Sequence, residues 1–415
     1  MVKPGYKQTE VGVIPEDWYI TPLRDISTGK FTYGVNAPAV EYMPPLPNYI
    51  RITDISDDGR FMYENRSSVI CKHPEQFTLK ENDIVFARTG ASTGKTYLYR
   101  REDGELVYAG FLIKASIDPI RADSRFVFAA LHTSNYWNWV ATASMRSGQP
   151  GINGNEYASY QIAIPKLTEQ AYIAETLEDT DMLIHSLQKK ISKKKAIKQG
   201  GMQELLTGKK RLPGFSGEWT AHRLGDLGVF IKGSGISRAE SNTGRIPAVR
   251  YGELYTTHQN YVTHFVSHIS KEVATKAKQV YKGDILFAAS GETKEEIGKC
   301  AAIIDDQTVY AGGDILILRP HEPHNPVFMG TLLNTAEVCR QRAEKGQGDA
   351  VVHIHADSLG SIKIKIPEIK EQDAIAEILL GMDKEIEMLE MKLEKYRQLK
   401  QGMMQQLLTG KIRLV

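Results

Sequence analysis

Two stretches of the chain carry an apolar residue every three or four positions over many turns. Between Lys370 and Leu408 the series Ile375, Leu379, Met382, Ile386, Leu389, Leu393, Tyr396, Met403 and Leu407 keeps that spacing, with Lys400 as its one polar break. A 3-4 alternation held over several heptads marks a coiled-coil seam, narrower than the stripe of an ordinary globular helix. Between Thr168 and Leu206 the residues Ile173, Leu177, Ile184, Leu187 and Ile191 fit the same pattern, lysines then interrupt it, and Leu205 lies on the seam near the end. Neither stretch contains proline, so each is expected to be one helix, about 60 Å long at ~1.5 Å per residue. The two seams are expected to pack on each other. Gly200, Gly201 and Gly402 weaken their turns, while Gly208 and Gly410 read as helix stops. The rest of the chain reads as short strands between Gly, Pro and Asn turns, plus a few helices such as Phe126 to Ala143.

The helical stretches are copies of one another. Ile164-Pro165 returns as Ile366-Pro367, Glu169-Gln170 as Glu371-Gln372, Ile173-Ala174-Glu175 as Ile375-Ala376-Glu377, and Leu205-Leu206-Thr207-Gly208-Lys209 as Leu407-Leu408-Thr409-Gly410-Lys411. Every pair is separated by the same 202 residues, as Ile164 and Ile366 are. From Gln161 to Leu212 roughly half the positions match their partners without a gap, which dictates a repeat architecture. The segments before each helix share less. Asp83-Ile84-Val85-Phe86-Ala87 resembles Asp284-Ile285-Leu286-Phe287-Ala288, Val107-Tyr108-Ala109-Gly110 resembles Val309-Tyr310-Ala311-Gly312, and Trp18 and Trp219 occupy matching starts. The fold class expected is therefore α+β: two α/β domains separated by two long antiparallel coiled-coil helices, with a pseudo-two-fold internal repeat. The expected boundaries are a first domain over 1–165, a first spacer helix over 166–210, a second domain over 211–367 and a second spacer helix over 368–415. The end of the second helix should return to the first domain.

Composition narrows the class. With 415 residues and 41% hydrophobic content the chain can bury sizeable cores. No window is apolar enough to span a bilayer, the first ten residues lack a secretory apolar core, and Cys71, Cys300 and Cys339 are too few and scattered for a disulfide framework or a cysteine-rich zinc site. A cytoplasmic protein without membrane contact is expected. The net charge of +2 is neutral on nucleic-acid binding, so local distribution matters more. The densest basic run, Lys189 to Lys198, reads either as a solvated helix face or as a phosphate contact.

The chemical motifs do not build a catalytic centre. Thr89-Gly90-Ala91-Ser92-Thr93-Gly94-Lys95-Thr96 imitates a phosphate-binding loop, but the first glycine of that pattern falls on Thr89. His353 with His355 lacks a third metal ligand, and His264 with His268 lacks the glutamate of the zincin motif. The Asn/Asp-Pro-Pro-aromatic signature of adenine methyltransferases is missing; Met43-Pro44-Pro45-Leu46 fails at both ends. Two similar modules with different fillings, held on a rod, suit bipartite recognition better than catalysis. The rivals are a stand-alone nuclease or methyltransferase, and a coiled-coil scaffold that binds only proteins.

The repeated Ile-Pro, Glu-Gln and Ile-Ala opening, the Leu-Leu-Thr-Gly-Lys ending, and Lys210-Arg211-Leu212-Pro213-Gly214-Phe215-Ser216-Gly217-Glu218-Trp219 resemble the specificity subunits of type I restriction-modification enzymes. The resemblance spans the chain. It implies a non-catalytic subunit without a cofactor of its own. Two target-recognition domains would each read half of a split, asymmetric site in double-stranded DNA. The helices would bind two modification subunits that carry S-adenosylmethionine and methylate adenine. Restriction subunits, which use ATP and Mg, would join through them. Candidate DNA contacts are Arg88, Thr89, Ser92 and Lys95 after the shared strand of the first domain, and Ser290, Glu292 and Lys294 after that of the second. Arg51 and Arg250 occupy related segments, and Arg146, Gln149, Lys345 and Gln347 lie in polar loops. Arg and Lys suit guanine edges or phosphates, Gln suits adenine, and Glu accepts from cytosine.

Overall fold

A computed structural model describes residues 3–145, 150–348 and 351–415. Its contacts divide the chain into two units, Met1–Gln188 with Met391–Val415, and Lys189–Glu390.

Unit 1 is organised around the strand Asp83–Ala87, all five residues of which are buried. It pairs antiparallel with Leu112–Ser116, Leu112 facing Ala87, and with Thr96–Leu98. Thr32–Tyr33 adds an edge, Tyr33 facing Ile113. Side chains alternate across a strand, so Ile84 and Phe86 enter one core while Val85 and Ala87 enter another. The second core is closed by a sheet of Leu106–Tyr108, Asn48–Ile50, Ser67–Val69 and Ala39–Glu41. The buried Asp83 carboxylate accepts the Lys80 amide at 2.8 Å and pairs with Lys114 at 3.3 Å.

Unit 2 repeats this frame. Ile285–Ala288 is fully buried between Ile315–Pro320 and Cys300–Ile303, with Gly228–Lys232 and Tyr261–Val262 at the edges. Asp284 accepts the Tyr281 amide at 2.9 Å and is held by the Arg319 guanidinium at 3.0 and 2.7 Å. The recurring Asp-Ile dipeptide is thus a turn-to-strand junction whose carboxylate ties the turn to the sheet.

The expected helix from Phe126 to Ala143 is instead two, Ser124–Ala130 and Ser134–Ala143. Thr133 is extended (φ −82°, ψ 161°) and its hydroxyl donates to Ala130 O at 2.8 Å, competing with the helical ladder. Thr335 does the same between Pro326–Leu332 and Ala336–Lys345. Apolar spacing runs through both breaks, which is why it conceals them.

The long helices span Leu167–Leu205 and Ile369–Leu407, one residue earlier at each end than expected. Each unit holds the start of one and the end of the other, packed antiparallel. In unit 1, Asp181 of the first pairs with Lys400 of the second at 2.6 Å. In unit 2, Lys194 pairs with Glu385 and Lys195 with Glu390, both at 2.7 Å, and Lys198 pairs with Asp383. Part of the basic run therefore faces carboxylates. The seam residues Ile173, Leu177, Ile184, Leu187, Ile191, Leu205, Ile375, Leu379, Ile386, Leu393 and Leu407 are buried, and Met382, Leu389 and Tyr396 are half-buried. Gly208 and Gly410 stop the helices at φ +68° and +67°.

The repeated Glu-Gln pair has a structural cause. Gln170, fully buried, donates to Pro165 O at 2.8 Å and accepts the Asp123 amide at 2.9 Å, locking the helix start onto the domain. Gln372 makes the same two bonds to Pro367 and Asn325 at 3.0 and 3.1 Å. The chain's end also returns to its beginning as expected: Tyr6 Oη donates to Gly410 O at 2.9 Å, and a side chain at Gly410 would meet Pro15 at 2.4 Å. No helix among the described residues is long and apolar enough to cross a membrane.

Candidate nucleic-acid interface

In unit 1 the candidate residues Arg88, Thr89, Ser92 and Lys95 occupy one loop between two antiparallel strands. The chain turns through a short 3-10 segment at Gly90–Ser92 and returns as the strand Thr96–Leu98. A phosphate-binding loop opens a helix at this point, so the imitation noted in the sequence is a hairpin. The loop is fastened to the segment after the Ser134–Ala143 helix: Thr89 bridges to Gly151, Gly90 N donates to Pro150 O at 3.1 Å, and Ile152 N donates to Arg88 O at 2.9 Å. Lys95 is committed to Asp57 at 2.6 Å. Arg146 and Gln149 lie outside the described residues.

Unit 2 makes the equivalent junction with different side chains. Ser290–Gly291 pairs antiparallel with Val352–His353. Ser290 Oγ lies 3.0 Å from His353 Nδ1, and Gln347 and His353 exchange backbone bonds of 2.9 and 2.8 Å. Tyr255 donates its hydroxyl to Ser290 O at 3.0 Å, and burial pushes that phenol up to about 12, so it remains a donor at neutral pH. Glu292, Lys294 and Gln347 are exposed, and Lys345 is half-buried. Each unit thus brings its post-strand loop and its post-helix loop to one edge, and the two edges differ in composition.

The remaining candidates stand elsewhere. Arg51 lays its guanidinium on the fully buried Asp54, both bonds 2.8 Å, and reaches Asn65 O at 3.1 Å, so its charge is already matched. Arg250 precedes the short helix Tyr251–Thr256, its amide donating to Glu253 at 3.4 Å.

Two residues beside Arg88, Tyr33 and Phe111, were not among the candidates read from the sequence. The Arg88 guanidinium sits over the Tyr33 ring, 4.8 Å from its centroid, and the Arg88 amide donates to Phe111 O at 3.1 Å. Phe111 is 58% exposed and Tyr33 42%. Only strand pairing joins these three positions, and no local spacing signals it.

Comparison with known proteins agrees with this frame. The family model of the type I restriction modification DNA specificity domain matches twice, over residues 15–196 and 216–396. The type I restriction enzyme MjaVIII specificity subunit of Methanocaldococcus jannaschii is 24% identical over 425 residues, covering 97% of this chain and 94% of that protein. The putative MjaX specificity subunit of the same organism is 25% identical over 439 residues, covering 99% and 97%. Among solved structures, a type I restriction-modification S subunit from M. genitalium superposes with a TM-score of 0.61 at 14% identity, covering 94% of this chain and 96% of that one. A chain from work on complex assembly and conformational transition of the type I R-M system gives 0.57 at 16% identity, covering 96% and 99%. The doubled domain match, the near full-length relatives and the repeated α/β frame lead to one conclusion: the chain belongs to the type I restriction-modification DNA specificity family, the non-catalytic subunits through which those enzymes recognise DNA sequence.

Proposed function

We propose that the chain recognises a split, asymmetric site in double-stranded DNA, unit 1 reading one half and unit 2 the other. On this reading 1–165 and 211–367 are target-recognition domains, and 166–210 and 368–415 are spacers that dock two adenine-methyltransferase subunits and, through them, the restriction subunit. S-adenosylmethionine is then the modification subunit's cofactor, and ATP and Mg the restriction subunit's. This chain binds and positions DNA at the loops carrying Arg88, Thr89, Ser92 and Lys95, and Ser290, Glu292, Lys294, Lys345 and Gln347.

The observation that carries the reading is one edge built twice from the same strands and loops and filled with different side chains. Sequence is read at base edges, so a common frame with changed polar groups suits two different half-sites. Docking is supported by exposed apolar residues at matching repeat positions. Leu167 and Ile369 are 39% and 41% exposed, and Ile197 and Leu399 48% and 51%. An apolar side chain left in water twice at the same position suits the same partner twice.

Mapping methylated adenines in DNA exposed to the assembled methyltransferase tests this reading. A motif of two unlike halves around unread pairs is expected. A continuous motif contradicts it.

A further inference from the structure

The three residues joined by strand pairing in unit 1 have counterparts in unit 2 at the same places in the frame. Tyr33 faces Ile113, one residue after Leu112, and Leu112 faces Ala87. Lys232 faces Leu316, one residue after Ile315, and Ile315 faces Ala288. Lys232 therefore stands where Tyr33 does. Ala289 follows Ala288 as Arg88 follows Ala87, and its amide donates to Asp314 O at 2.9 Å as the Arg88 amide donates to Phe111 O. Unit 1 thus presents Tyr33, Arg88 and Phe111 where unit 2 presents Lys232, Ala289 and Asp314.

Arg88 has no carboxylate partner among the described residues, whereas Arg51, Arg125, Arg319 and Arg413 each grip one. Its guanidinium is instead oriented by the Tyr33 ring, and that ring is fixed because its hydroxyl accepts the Gly154 amide at 3.0 Å. A planar fork that is pre-oriented, without a carboxylate partner among the described residues and bonded through its amide to the exposed Phe111, is a poor structural element and a good reader of base edges. Lys232 and Asp314 are both exposed and without ion pairs among the described residues. They offer a cation and an acceptor at the matching place.

We propose that this position, Tyr33–Arg88–Phe111 in unit 1 and Lys232–Ala289–Asp314 in unit 2, determines which bases each half-site admits. Arg88 would take a guanine edge, with Phe111 against an apolar face such as the thymine methyl. Asp314 would accept from the cytosine amino group, and Lys232 would donate to guanine. The inference rests on the half-site reading above and names the residues that carry it out.

The test uses the methyltransferase assembled with this chain and a library of DNA randomised in both halves, with methylated molecules sequenced. Arg88→Ala and Phe111→Ala should keep the wild-type melting temperature and relax preference at one or two positions of one half by about tenfold or more. Arg88→Lys should relax it too, because an ammonium lacks the fork. Lys232→Ala and Asp314→Ala should relax only the other half. Unchanged preference in all five variants overturns the assignment while leaving the half-site reading intact. Relaxation of both halves by a single variant overturns the half-site reading itself.

Discussion

Arg413 closes unit 1 by gripping Glu169: Nε donates to one carboxylate oxygen at 2.6 Å and a terminal nitrogen to the other at 2.8 Å. Arg413 lies just beyond the second long helix, and Glu169 opens the first. The same grip holds Arg211 to Glu371 in unit 2 at 2.7 and 2.7 Å. Each clasp joins the segment after one long helix to the start of the other, so both units are locked in one way.

Replacing Arg413 with alanine strands Glu169, which is 3% exposed. Breaking such a pair from one side costs about 3 kcal/mol, roughly 6–12 °C in melting temperature for a unit of this size. Arg413 also reaches Asp17 at 2.9 and 2.7 Å and by those bonds holds that carboxyl below its ordinary range. A lowered folded pKa stabilises above the unfolded value, near pH 4, and is lost as pH falls further. The variant should therefore lose stability at neutral pH and lose this acid-dependent part of its unfolding curve. Calorimetry with an unchanged transition would contradict the clasp.

The polar break in the seam is a matched pair. Lys400 and Asp181, each about a quarter exposed, meet at 2.6 Å, and Lys198 with Asp383 is its repeat. Lys400→Leu alone should destabilise because it leaves the half-buried Asp181 without its bonded partner. Lys400→Leu with Asp181→Leu should recover most of the loss. Chemical denaturation of the single and double variants reads this directly, and a double variant as weak as the single would refute it.

Gln170→Leu removes one buried and one partly buried bond and leaves Pro165 O and the Asp123 amide without these partners. A cost of about 2–3 kcal/mol is expected. Amide exchange should rise first at the start of the Leu167–Leu205 helix. Uniform exchange through unit 1 would argue against a local anchor.

Ile197→Glu and Leu399→Glu alter exposed residues and should leave folding intact. Native mass measurement with the modification subunit should show one partner lost for each single variant and both lost for the double. Two partners retained by the double variant would remove these positions from the docking surface.

Much of the fold was legible because periodicity and self-comparison are strong signals. The heptad spacing of Ile375 to Leu407, the 202-residue repeat and the stops at Gly208 and Gly410 needed no structure to find. The break at Thr133 was not legible, since Phe126 to Val140 keeps a helical apolar pattern and the break is marked only by local side-chain bonds, Thr133 to Ala130 O and His132 to Phe128 O. The edge proposed for recognition was half legible. Arg88 stood out beside the shared strand, but Tyr33 and Phe111 reach it through pairings that sequence spacing does not encode. Arg51 looked equally free, and only the structure shows it bound to Asp54.

On the proposed reading, each unit reads its own half of the site. Replacing Pro213 to Ile362 with the corresponding segment of unit 1 gives a chain with one reader in duplicate. Methylation mapping with this variant should show unit 1's half-sequence on both sides of the gap and no trace of the other. A site that keeps the second half-sequence, or an active variant whose two halves both change to something new, would contradict independent reading.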